Sequence, residues 1–161
     1  MIRTLLVFSA LLASACASPA PAESVTAPSP TPGRFSAADL SYFSFLEGRW
    51  TGIGPDGQPI YEQGSFPDKY RLRIESFDST FTSLRDRVQV YAHDGHIISQ
   101  HYGDTWRATE VRDGFAAFEP VNAPDAFHWK RIDANTVELL RRTTGEDGKP
   151  QSYTIMLKRV G

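Results

Sequence analysis

From Gly48 onward, apolar and polar residues alternate with a period of two. Tyr70, Leu72 and Ile74 alternate with Arg71, Arg73 and Glu75. Val88, Val90 and Ala92 alternate with Arg87, Gln89 and Tyr91. Tyr153, Ile155 and Leu157 alternate with Ser152, Thr154 and Met156. Residues two apart share a face of a strand, so each run predicts a half-buried β-strand. Asp56-Gly57, Asp94-Gly95, Gly103-Asp104, Asp113-Gly114 and Asp147-Gly148 punctuate the runs. Such dipeptides accept positive φ and read as tight hairpins. Strands are expected near residues 49–54, 59–66, 69–77, 81–92, 96–102, 105–111, 115–119, 127–132, 136–143 and 151–160. No stretch between them is long enough for the crossover helix that parallel neighbours need. The expected fold is all-β: an antiparallel up-and-down meander barrel of about eight to ten strands. Closure removes the long edges that an open sheet would expose.

A short helix is expected ahead of the first strand, near residues 36–46, closing one end of the barrel. Ser36 and Asp39 have the spacing of a capping box, with the carboxylate near the positive end of the helix dipole. Leu40, Phe43 and Glu47 are placed on one flank, Phe43 and Leu46 repeat at i and i+3, and Gly48 is a stop signal.

The 161 residues predict one domain. Seventeen Lys and Arg against nineteen Asp and Glu leave a net charge of −2. A nucleic-acid binder would show a basic excess or stripe, so nucleic acid is not an expected partner. A single cysteine excludes an intrachain disulfide framework and a multi-thiolate zinc site.

The first residues read as an export signal. Arg3 supplies positive charge, residues 5–12 (LLVFSALL) are apolar, and Ala13-Ser14-Ala15 forms a small-residue cleavage site. Cys16 follows. The stretch Leu12-Ala13-Ser14-Ala15-Cys16 resembles the lipobox of bacterial lipoproteins, with Ala13 where Leu is commoner. That resemblance implies a signal peptide over residues 1–15 and acylation of Cys16. It makes the lipid bilayer a partner, since several acyl chains hold a protein stably on a membrane. Ala17 in place of an Asp resembles the sorting pattern for the outer membrane, facing the periplasm. Residues 17–33 (ASPAPAESVTAPSPTPG) contain five prolines and nothing that builds a core. With Cys16 they form a tether, residues 16–33, which reaches about 50 Å when extended. The folded domain is expected over residues 34–161.

Gly48-Arg49-Trp50 opens the first strand directly after the helix. This G-x-W resembles the start of the lipocalin and fatty-acid-binding (calycin) superfamily. There the tryptophan packs under the barrel floor and a basic residue of the last strand stacks on it. Arg159 is the matching candidate, on the face of Tyr153, Ile155 and Leu157, with Lys158 second. Residues 118–139 also resemble part of an uncharacterised family of small bacterial lipocalin-like proteins. The longer pattern Gly48-x-Trp50-x-Gly52-x-Gly54 is similar to nitrobindin-type barrels, which hold haem through a histidine late in the chain. Here no histidine follows His128, and no cofactor is expected.

Trp106 and Trp129 stand at strand positions where large aromatics either fill a core or line a cavity. With His101 they are the candidate ligand contacts. His93 and His96 flank the Asp94-Gly95 turn and are expected opposite each other, but alternation points His101 to the other face from His96. No metal site is expected from them. Arg71, Arg73, Arg85 and Arg87 form an outward basic stripe, with Glu75 and Asp86 nearby. Nucleophile-elbow, P-loop and zinc-protease motifs are missing from the sequence. The leading expectation is an envelope-anchored binding module for a small, mainly apolar ligand. The alternatives are a haem-binding or enzymatic barrel acting on a reactive small molecule, and a structural or chaperone-like lipoprotein with a filled barrel.

Overall fold

The computed structural model describes residues 34–161. The expected signal peptide, Cys16 and the tether lie outside the described residues. Ten strands follow one helix: β1 (Gly48–Ile53), β2 (Pro59–Asp68), β3 (Arg71–Phe77), β4 (Leu84–His93), β5 (His96–His101), β6 (Asp104–Arg112), β7 (Phe115–Pro120), β8 (Asp125–Asp133), β9 (Thr136–Thr144) and β10 (Pro150–Val160). Each pairs antiparallel with its sequence neighbour, and β1 pairs with β10, which closes the barrel. Trp50 faces Arg159 and Thr51 faces Lys158 at this seam.

Alternation sets the core. Leu72, Val90, Ile97, Phe118, Val137, Ile155 and Leu157 are buried within the barrel. On β6 the buried set is Trp106, Ala108 and Val111, which breaks the period. The register slips between Ala108 and Glu110. The extra residue resets which side chains point inward, as a β-bulge does.

The fourth strand begins at Leu84, later than the alternation suggests. Asp78 is the cause. Its carboxylate accepts the backbone N–H groups of Thr80 and Thr82, each at 3.1 Å, and the Thr80 hydroxyl at 2.8 Å. Phe81 turns with a φ of 56°. The loop is organised around one carboxylate, and those donors, the Thr82 N–H first, hold its pKa well below the usual range.

The N-terminal helix, Ala37–Leu46, is a 3-10 helix. Leu40, Phe43 and Leu46 recur every third residue, and three residues per turn stacks them in one row. All three are buried, a burial of about 1.5–3 kcal/mol for each side chain. Glu47 does not join that flank. It is the extended C-terminal cap and is exposed. At the other end Asp39 Oδ2 accepts the Ser36 backbone N–H at 2.7 Å and its hydroxyl at 2.9 Å.

The two ends of the barrel differ. The helix covers the end that carries the turns at Asp94-Gly95 and Asp113-Gly114 and the last residues of β10. Phe43 inserts there, 6.1 Å from Phe118 and 6.4 Å from Trp129 between ring centres. The backbone of Phe35 donates to the Gly95 carbonyl at 2.7 Å, pinning the helix entry. The opposite end carries the turns at Asp56-Gly57, Gly103-Asp104 and Asp147-Gly148, and the helix does not cover it.

Candidate functional site

Trp50 and Arg159 lock the helix to the barrel. The Trp50 ring is 3% exposed, and its Nε1–H donates to the Leu46 carbonyl at 2.9 Å. The Arg159 guanidinium lies 4.2 Å from the centre of that ring. It donates through Nη1 to the Glu47 carbonyl at 2.7 Å and through Nη2 to the Phe45 carbonyl at 3.4 Å. The last carbonyls of a helix lack partners within it, and cations stabilise that end. One arginine therefore caps the helix and covers the tryptophan together. Lys158 turns to the Thr136 hydroxyl at 2.7 Å.

The glycines divide by role. Gly48 has a φ of 110°, and a side chain there would strike Arg159 Nη1. Gly52 lies against the backbone of Met156 and Gly54 against Asp56, so neither serves the approach of the helix. That role falls to Gly64 of β2, where a Cβ would collide with the Leu46 carbonyl.

The aromatic cluster fills the helix-closed part of the barrel. Phe118 stacks on Phe127 at 4.8 Å and 13°, and Trp129 meets Phe127 edge-on at 4.9 Å. Towards the uncovered end the filling stops and leaves an interior cavity of about 150 Å³. Trp106, Phe127 and Trp129 form its aromatic wall, beside Ile74, Val88 and Leu139. Glu62, Ser76, Asp86, Ser99, His101 and Arg141 form the polar wall. Trp106, Trp129 and His101 thus border one space. The indole N–H of Trp106 is committed to the Asp125 carbonyl at 2.8 Å, so its ring is what faces the cavity.

The polar wall arises from register. Glu62 pairs with Ser76, and Ser76 with Asp86, so three adjacent strands present these side chains in one row. Directly opposed residues keep their Cβ atoms about 5 Å apart. Asp86 turns inward with Val88 and Val90, away from the outward stripe. There Glu75 pairs with Arg87 at 2.6 Å, which leaves the stripe partly neutralised. His101 Nε2 meets Asp86 Oδ2 at 2.6 Å. Arg141 Nε bonds Asp125 Oδ2. Burial works against the Arg141 charge, but the Asp125 bond and charge outweigh it and raise the pKa. Ser99, between Val90 and Trp106 in the sheet, is fully buried with no hydrogen-bond partner for its hydroxyl.

Glu62 is the perturbed acid of the site. Burial pushes its pKa up to about 7. Arg141 lowers it and Asp86 raises it, both by smaller amounts. Its side chain is half-buried, as its place on the cavity wall requires.

His93 and His96 pair across the β4–β5 hairpin, and His93 meets Asp94 at 3.3 Å. Among the described residues no group of three or more His, Cys, Asp or Glu side chains is placed to hold a metal ion. A wider depression of about 610 Å³ lies outside the barrel beside the helix, near Leu40, Phe66 and Tyr70. It is open to solvent, whereas the buried Ser99 and the half-buried Glu62, Asp86, His101 and Arg141 line the interior cavity.

No family model matches the chain, and no curated protein matches it. Among solved structures the chain is similar to EF1p2_mFAP2b bound to DFHBI, at 14% identity and a TM-score of 0.37, over 77% of this chain and 98% of that one. It is also similar to the redesigned β-barrel b11L5F_LGL, at 15% identity and a TM-score of 0.32, over 80% of this chain and 99% of that one.

Proposed function

We propose that this protein is a lipid-anchored, lipocalin-like binding module of the bacterial envelope, and that its barrel holds a small molecule between an aromatic and a polar wall. The observation that carries the reading is the interior cavity bounded by Trp106, Phe127 and Trp129 on one side and Glu62, Ser99 and His101 on the other. An apolar lining with a few converging polar groups is the general character of a small-molecule site. Its volume falls below the ~300 Å³ of sites for drug-sized ligands and matches cavities that take one benzene-sized ring. The ligand is therefore of single-ring size, with an apolar body and one polar group, rather than a haem. This refines the mainly apolar ligand expected from sequence, because the wall is as polar as it is apolar.

The anchor part of the reading rests on Cys16 and the residues before it. The chain enters the domain at the helix-closed end, so a tether holding that end near a bilayer would direct the uncovered end away from it.

Native mass spectrometry of the purified full chain tests the binding reading. A discrete adduct of small mass is expected, displaced by added single-ring compounds. A folded chain that carries no adduct and binds no such compound would leave the filled structural barrel as the better reading.

A further inference from the structure

We propose that the molecule taken by this cavity is a small cation, a single-ring amine whose ammonium group meets Glu62 and Ser99 while its ring lies on Trp106, Phe127 and Trp129. The proposal rests on the binding reading above and adds the charge of the ligand.

The first ground is the pairing of charges. The charged and titratable groups that line the cavity with Glu62 are Asp86 on β4, His101 on β5 and Arg141 on β9, with Asp125 on β8 and Tyr153 on β10 next to Arg141. Asp86 is bonded to His101, and Asp125 to Arg141. Among the described residues Glu62 has no ion-pair partner. With His101 charged, the two pairs cancel and ionised Glu62 leaves one negative charge. With His101 neutral, the excess grows. Neither state makes the cavity positive, so an anion would enter against the field and a cation with it.

The second ground is Ser99. Its hydroxyl is fully buried, lines the cavity and has no partner. A buried polar group without a bond is costly. A hydroxyl oxygen accepts and an ammonium donates, and Ser99 lines the same cavity as Glu62. The third ground is the opposite wall, whose aromatic faces attract a cation by their quadrupoles. Burial raises the Glu62 pKa, and the Arg141 charge offsets only part of that rise.

Titration calorimetry of the full chain with benzylamine, benzyl alcohol and benzoate reads the charge preference at nearly constant shape. Benzylamine is expected to bind at least about tenfold more tightly than benzyl alcohol, and benzoate more weakly than either. From about pH 6 to about pH 8 benzylamine affinity should rise about tenfold as Glu62 ionises, with benzyl alcohol unchanged. Glu62→Gln should weaken benzylamine at least about tenfold and flatten its pH dependence. The pH series on the unaltered chain stands independently of how that variant folds. Equal or tighter binding of benzyl alcohol or benzoate would overturn the cation proposal and leave the small-molecule reading intact. A folded chain that binds none of the three would overturn both, with water the only occupant of the cavity.

Discussion

Trp50 and Arg159 are direct register partners across the barrel seam, and the guanidinium of one lies on the ring of the other. Both also bond the last carbonyls of the helix. Trp50→Ala should destabilise the chain by about 3–5 kcal/mol, as expected for a large buried aromatic. Arg159→Ala should cost less, because much of its loss is the stack and the helix cap, about 1–2 kcal/mol. Urea denaturation of the single and double variants should show a coupling energy of at least about 0.5 kcal/mol. Additive losses would separate the two roles.

Gly64→Ala should displace the helix, because the new methyl group and the Leu46 carbonyl need the same space. A loss of about 1–3 kcal/mol is expected, the range for overpacking. Gly103→Ala meets nothing nearby and serves as the control. Thermal melts and the near-ultraviolet dichroism of Trp50 distinguish the two.

Stability should fall as the pH rises through the Glu62 transition. Burial raises this carboxyl from 4.5 to about 7, so between those values the folded state binds more protons than the unfolded one. Linkage then removes stability as pH rises, by up to about 3 kcal/mol before allowance for its residual solvent contact. The loss is nearly complete by about pH 8. Glu62→Gln should abolish this slope and melt higher than the unaltered chain at about pH 8. Parallel melts across pH 5–8 would reveal a flat wild-type profile if Glu62 titrates normally.

Arg141→Gln should cost about 3 kcal/mol, near the lower bound for breaking a buried pair, because Asp125 is left with no counter-charge. Asp125 is 8% exposed and its Oδ1 already has no partner. The double variant Asp125→Asn, Arg141→Gln should recover part of that loss. Chemical denaturation measures both.

Cys16→Ser should shift the protein from the membrane fraction to the soluble one. Equal fractionation of variant and unaltered protein would remove the lipoprotein proposal.

The barrel was legible because its strands obey one period. Val88 and Val90 mark an inward face whatever surrounds them, and Asp94-Gly95 marks a turn. The partner of Trp50 was expected from the resemblance that Gly48-Arg49-Trp50 carries, with the alternation along Tyr153, Ile155 and Leu157 favouring Arg159. The helix type was harder, although the threefold spacing of Leu40, Phe43 and Leu46 carries it. The polar wall was missed. Asp86 was placed beside the outward stripe, and Glu62 and Arg141 drew no expectation, yet each has the parity of an inward residue on its strand. Asp86 precedes Val88 by two, and Arg141 follows Leu139 by two. A charged residue continuing an apolar face is the signal that would have found them. What parity cannot give is which of these groups meet, since His101 reaches Asp86 only through the register of neighbouring strands. Gly64 was missed for a similar reason, because its neighbour is a carbonyl of a distant element.

Nine of the ten strand pairings are hairpins that can form as soon as both strands exist. The seam alone joins residues about a hundred positions apart, and such long-range closure is the slow step of a β-fold. It is also the pairing that supplies Arg159 to the helix. A nascent chain therefore carries an unfinished sheet with two open edges, and an unlocked helix, until its final strand emerges. A chain cut before Lys158 would lose the residues that close the seam while keeping nearly every hairpin. Such a shortened product should associate edge to edge instead of closing, so Lys158, Arg159 and Val160 decide between a solitary barrel and an aggregate.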